Sequence, residues 1–430
     1  MDVQLPYGEG FIAATVPDNA TVLLPAPATP LADVASAVRE TIGAPIGGPP
    51  LARLARAGAR VAIVVSDVTR PVPNAALLPP LLETLAEGGV APDDVTIIIG
   101  TGLHRPSRED ERERILGADI LSRYRVVDHD ARDRASHEFL VRTARGVDVW
   151  VNRAYMQADL RILTGFVEPH LFAGYSGGGK AMLPGICGAE AIMANHDATM
   201  LSHPRATWCA TAGNPIFEEM RDVALLSGPH FTLNVTLDVQ KRVTGVFAGE
   251  LGASHDAAIA RAAEQYVRPV KQSFDIVVAT NMGYPADLSL YQSVKGMSVA
   301  AQACAPGGAV LLAAECREGL GGAEYVQLLL GEASPEALME QLITPGHKTI
   351  HDQWQVQVQA MVQARCDVWL YSSLDRTVTE SAHLIYAADV NGALARIIDE
   401  KRVLLGREPS VCALPYGQLT VPVLQSGRAG

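Results

Sequence analysis

Six apolar runs set the limits on what this chain can fold into: RVAIVVSD (60–67), DVTIIIGTG (94–102), DLRILTGF (159–166), FDIVVATN (274–281), GGAVLLAAE (307–315) and DVWLYSS (367–373). Most are near-continuous and do not alternate, the pattern of strands buried on both faces of a parallel sheet. Helical signals fall between them. Residues 74–88 open on Asn74 and stop at Gly88-Gly89; 107–116 open on Ser107 with acids behind it; 334–343 open on Ser-Pro-Glu. Strands alternating with helices over most of the length specify an α/β fold with largely parallel sheets flanked by helices.

A chain of 430 residues exceeds one ordinary core, so two domains are expected. The polar stretch 262–275, with Arg268-Pro269 inside it, is where the strand–helix rhythm restarts. We therefore assign 1–268 to an N-terminal α/β domain and 269–397 to a C-terminal one. The Pro- and Gly-punctuated segment of about 398–430 is a candidate to pack back on the first. Ligands in such sheets bind beyond the carboxyl ends of strands, so the active site is expected in the interdomain cleft.

The net charge of −12 argues against nucleic acid, whose backbone demands a basic surface. No apolar run approaches the roughly 20 residues a membrane span requires. The N-terminus MDVQLPYGEG lacks a basic n-region and an apolar h-region, so a soluble, cytoplasmic protein is expected. The six cysteines are scattered without a C-x-x-C pair, which suits small buried residues in a reducing compartment.

Four of the runs lead directly into unusual polar loops. One carries Asp67, Thr69 and Arg70; a second carries His104 and Arg105; a third carries His170 and Lys180; a fourth leads to Tyr291, Gln292 and Lys295. Singly, each residue has a mundane explanation as a turn cap, a surface ion pair or a solvated side chain. Converging on one crevice, they would gather histidines, lysines and arginine in an acidic protein. That suits a small carboxylate or phosphate ligand, with two histidines to move protons.

The third loop needs closer reading. Gly174 to Lys180 spells G-x-x-x-x-G-K, the skeleton of a P-loop, but Ala181 stands where a magnesium-holding hydroxyl belongs. A P-loop-like nucleotide-binding enzyme is therefore one alternative, and a non-catalytic small-anion binding protein another. His196, in AIMANHDA, is open between a helix terminus and a metal ligand. The histidines at 170, 196 and 203 form no zinc signature.

Together SDVTRPVP (66–73), GLHRP (102–106), EPHLFAGYSGGGKAMLPG (168–185), Asn195-His196 and YQSVKG (291–296) resemble the nickel-pincer lactate racemase family, in the family's order and spacing. The resemblance implies a 2-hydroxyacid racemase or epimerase of the isomerase class. Its cofactor is a nicotinic-acid-derived mononucleotide whose two sulfurs hold nickel in a pincer. It is made by dedicated cofactor-synthesis enzymes. By the same resemblance, Lys180 tethers that group covalently, His196 is the protein's nickel ligand, and Asp67, Gly177 and Gly178 contact the cofactor. His104 and His170 are the acid–base pair. Arg70, Tyr291, Gln292, Lys295 and Trp354 bind the substrate, for which lactate is the default.

Overall fold

The computed structural model describes residues 1–425. The chain forms two compact units. One comprises Pro27–His196 with Arg205–Gln265; the other comprises residues 1–26, 197–204 and 266 onward. Each is built on a six-stranded sheet.

The first sheet runs, in spatial order, Val243–Gly249, Phe231–Leu237, Leu160–Phe166, Val61–Ser66, Val95–Gly100 and Arg125–Asp128. All neighbours are parallel except the first two, which form an antiparallel pair. Val61 to Val65 and Ile97 to Ile99 are buried, as continuous apolar runs require when helices cover both faces. One cover is the helix Asn74–Glu87, which turns Leu77, Leu78, Leu81, Leu82 and Leu85 into the core. Pro73, not Asn74, occupies its cap position, and Asn74 is the first helical residue.

From Val61–Ser66 the chain winds outward to Arg125–Asp128. It then returns to the opposite side of the starting strand as Leu160–Phe166. Such a reversal leaves a crevice at the carboxyl ends, because the loops on either side diverge. The loops carrying Asp67, His104 and His170 all leave strands at or beside this reversal.

The second sheet runs Ile385–Tyr386, Asp367–Tyr371, Cys304–Ala313, Phe274–Thr280, Val411–Leu414 and Thr21–Val22, parallel throughout. Helix Leu290–Ala303 follows its strand Phe274–Thr280 and is capped by the Ser289 hydroxyl, which accepts from the Gln292 N–H. Ser334 caps Pro335–Ile343 in the way its Ser-Pro-Glu start prescribes.

Both chain ends depart from the domain assignment made above. The N-terminal hairpin Asp2–Tyr7/Gly10–Thr15 contributes Val3, Leu5 and Ala14 to the second core. The C-terminal run VCAL pairs with Phe274–Thr280, and Thr21–Val22 covers its other edge. A fully buried apolar run needs a ladder on both sides, and the second sheet offers it.

The Phe231–Leu237 strand was absent from the six runs because its sequence, FTLNVTL, alternates. Its polar residues are nonetheless buried: Thr232 meets Ser254 at 2.7 Å and Thr236 meets Thr244 at 2.9 Å. All six cysteines are free thiols, five of them buried. Among the described residues no helix is long and apolar enough to cross a membrane.

Candidate active site

The first loop turns sharply after Ser66. The Asp67 carbonyl accepts from the Arg70 N–H at 3.1 Å, and its carboxylate accepts from the Thr69 hydroxyl at 2.6 Å. The other carboxylate oxygen lies 2.6 Å from His104 Nδ1, on the neighbouring loop. Asp67 is buried while the His104 side chain is 47% exposed, so a fixed carboxylate holds an accessible ring. Burial opposes ionisation of Asp67, but the His104 hydrogen bond and the Arg70 charge outweigh it and hold the carboxyl below its usual range. An ionised Asp67 accepts Nδ1–H, which leaves His104 Nε2 as the basic nitrogen.

The base of the His104 loop is fixed separately. Arg105 makes a two-pronged contact with the buried Glu111 carboxylate, at 2.6 and 2.7 Å. Behind it, His129 ties the segments together: its Nε2 donates to the Cys187 carbonyl at 2.9 Å, and its own carbonyl accepts from the Thr101 hydroxyl.

The loop after Leu160–Phe166 brings together His170 and Lys180. The Ala173 N–H donates to His170 Nδ1 at 3.2 Å, which turns Nε2 toward Lys180 Nζ at 3.4 Å. Phe172 stands edge-on to both His170 and His196, with ring centroids 4.6 and 5.2 Å away, and the Lys180 ammonium lies 5.9 Å from its centre. Sequence reasoning passed over Phe172, which is the apolar wall these three polar groups share.

His196 ends the helix Ala189–Asn195 and is buried. Its Nδ1 donates to the Ile192 carbonyl at 3.0 Å. Burial, reinforced by the Lys180 charge, pushes its pKa down to about 3. The ring is therefore neutral at physiological pH, with its proton on Nδ1 facing the Ile192 carbonyl. A carbonyl-oriented neutral imidazole is the usual form of a histidine metal ligand. Among the described residues no three His, Cys, Asp or Glu side chains cluster as a metal site.

The glycines, expected at the cofactor, are also constrained by their own protein. A Cβ on Gly177 would meet Val167 at 2.6 Å, one on Gly178 would overlap the His255 ring, and one on Gly179 would meet the Met220 carbonyl at 2.7 Å. Both Gly177 and Gly178 also have positive φ, 76° and 49°. The Gly178 N–H is taken by Asn234 Oδ1 at 3.1 Å. The segment then forms the short 3-10 turn Gly178–Ala181. A P-loop instead keeps its amides open for phosphate and leads into a long helix, so that alternative loses its geometry.

In the second unit, Tyr291, Gln292 and Lys295 lie in the first turns of helix Leu290–Ala303, beyond the carboxyl end of Phe274–Thr280. Tyr291 and Lys295 are four residues apart and share a face. The Tyr291 hydroxyl donates to Asp352 Oδ1 at 2.8 Å, and Gln355 Nε2 donates to the Tyr291 carbonyl at 2.7 Å. Gln292 Oε1 is buried without a hydrogen-bond partner among the described residues. Trp354 lies in helix Gln353–Gln363 with its ring edge-on to His351 at 5.3 Å.

Comparison with known proteins identifies the family. The lactate racemase N-terminal domain family matches residues 7–209, and the lactate racemase C-terminal domain family matches 270–421. The lactate racemase of Lactiplantibacillus plantarum is 34% identical over 422 residues, covering 96% of this chain and 98% of that protein. That of Thermoanaerobacterium thermosaccharolyticum is 32% identical over 394 residues, covering 90% of each. The solved structure of a lactate racemase apoprotein from Thermoanaerobacterium thermosaccharolyticum superposes with a TM-score of 0.90 at 29% identity, over 98% of this chain and 100% of that one. A Thermotoga maritima protein, 17% identical with a TM-score of 0.67 over 94% of this chain and all of that one, shares the fold. Two family matches in sequence order and near-full-length relatives above 30% identity place this chain in the lactate racemase family, among the isomerases.

Proposed function

We propose that this protein inverts the Cα of a 2-hydroxy acid, with lactate as the default substrate and His104 and His170 as the acid–base pair. The observation that carries the reading is the pairing of buried Asp67 with accessible His104, on the loops next to the one that joins His170 to Lys180.

His104 Nε2 takes the hydroxyl proton of one enantiomer, and the imidazolium so formed is stabilised by the Asp67 carboxylate 2.6 Å from Nδ1. His170 exchanges a proton through Nε2 at the other face, its ring orientation fixed by the Ala173 N–H. Two groups on separate loops are what inversion in either direction requires. By the family resemblance Arg70, Gln292 and Lys295 are each assigned to the substrate; the two cations suit its carboxylate, and Gln292 Oε1, buried without a partner among the described residues, suits a hydroxyl. Tyr291, held by Asp352, and Trp354 complete the substrate-binding set.

Neutral, buried His196 would ligate nickel, and Lys180 would anchor the pyridinium mononucleotide that carries it, with Asp67 supporting that end of the site. The chemistry this group supplies when bound is reversible acceptance of the Cα hydride.

The test is intact mass and metal analysis of protein produced together with the cofactor-synthesis enzymes. A covalent adduct on Lys180 with one nickel per chain is the expected result. An unmodified, nickel-free protein that racemises lactate at full rate would refute the cofactor assignment.

A further inference from the structure

His255 belongs to none of the motifs that point to function, yet it packs directly behind the lysine-bearing loop. It lies on the long helix Leu251–Tyr266, its ring is buried, and it stacks on Phe217 with centroids 5.8 Å apart and planes 22° off parallel. Its Nε2 donates to the Ser176 carbonyl at 2.9 Å. Two residues further on, the Gly178 N–H donates to Asn234 Oδ1 at 3.1 Å. The Ser176 hydroxyl ties the same turn backward, accepting from the Glu168 N–H and donating to the Phe166 carbonyl, each at 2.9 Å.

The fit is also steric. A side chain at Gly178 would overlap the His255 imidazole, so the glycine and the histidine are matched to one another. His255 and Lys180 line the same small hollow, together with Tyr175, Phe217, Met220 and Arg221. Burial pushes the His255 pKa down to about 4, so the ring stays a neutral donor across the working range.

We propose that His255 and Asn234 are positioning residues for Lys180: they pin the backbone on either side of Gly177 and so set where the lysine side chain leaves the loop. This rests on the reading of Lys180 as the cofactor's anchor. Neither residue touches the reacting atoms. Their effect is to turn a glycine-rich segment, intrinsically free to sample many backbone states, into one conformation before the anchor bond forms.

Two measurements on the full-length chain separate this from a general loss of stability. The first is hydrogen exchange of the cofactor-free protein. His255→Ala and Asn234→Ala are expected to speed exchange at least about tenfold in peptides covering 174–182, with the Val61–Ser66 and Phe274–Thr280 strands unchanged. His255→Gln keeps an N–H near the ε position and is expected to restore at least half of the protection. Unchanged exchange in 174–182, or acceleration spread evenly over both sheets, would overturn the proposal.

The second is the fraction of chains carrying the Lys180 adduct after production with the cofactor-synthesis enzymes. That fraction is expected to fall about tenfold in His255→Ala and to recover in His255→Gln. If wild-type protein carries no adduct, the anchor reading itself fails. If wild type and all variants load equally while the loop exchanges faster, the anchor stands and the positioning role is wrong.

Discussion

The strand-end loops of the first sheet and the amino end of helix Leu290–Ala303 in the second unit hold their polar groups in opposite ways. In the loops every titrating residue of interest has an assigned partner: His104 has Asp67, His170 has the Ala173 N–H and Lys180, His196 has the Ile192 carbonyl. Along the helix, Tyr291 is held by Asp352, while Gln292 Oε1 is buried and unsatisfied among the described residues. A group that must move a proton needs its ring orientation and protonation state set in advance. A group that only holds a ligand can leave a hydrogen-bonding position for it to fill. The difference separates residues expected to govern kcat from residues expected to govern KM.

The strongest way to break that division is to remove a histidine. His104→Ala and His170→Ala are each expected to lower racemisation by about 10²- to 10⁴-fold, the range of general acid–base catalysis, with an unchanged circular dichroism spectrum. Wild-type turnover from either variant would end the two-base mechanism. Asp67→Asn should cost less, because the amide oxygen can still accept Nδ1–H but no longer stabilises the imidazolium with a full charge. A fall in kcat of about 10- to 100-fold with KM nearly constant is expected, short of the loss from removing the base itself. An equal effect on KM would move Asp67 into the substrate-holding class.

Acid sharpens the contrast in another way. Burial depresses the pKa of His129 and His255 to about 4 and of His196 to about 3. Their unfolded value is about 6.5, so between that pH and the depressed value the unfolded chain binds more protons. The stability they contribute is complete above about pH 6.5 and is lost as the pH falls toward 4, each withholding on the order of 1–3 kcal/mol. All three lie in the first unit. Thermal melts between pH 7.5 and 4.5 should show its tryptophans, Trp150 and Trp208, losing signal before Trp369 of the second unit. Simultaneous loss would show the acid effect to be shared.

The fold was largely legible because its strands are continuous apolar runs, and burial on both faces leaves few other arrangements for VAIVV or VTIII. The exceptions have physical causes. Phe231–Leu237 alternates like a half-exposed strand, and its polar face is buried because Asn234 there serves Gly178. The chain ends were misassigned because nothing in VCAL says which sheet it will complete. In the site, residues with intrinsic chemistry stood out at strand ends. Those that act by shape did not: Phe172 and His255 are ordinary core residues until the loops they touch are seen. The glycines were legible as special, but not as surfaces for their own protein.

The smallest expected effects fall on the helix, and they test the division most finely. Gln292→Leu removes the unsatisfied oxygen, whose burial without a partner already costs the free protein. The variant should be as stable as wild type or slightly more so, while KM for lactate rises about tenfold, the equivalent of one hydrogen bond of about 1.4 kcal/mol. Tyr291→Phe removes the donor to Asp352, a partly buried bond worth about 1 kcal/mol. Its ring still packs edge-on to Tyr325 at 5.3 Å, so the helix start keeps its shape. A lowered thermal midpoint and a KM shift of about threefold or less are expected, with kcat retained. A large kcat loss in Tyr291→Phe with KM unchanged would place this hydroxyl among the proton-handling groups and erase the line between the two regions.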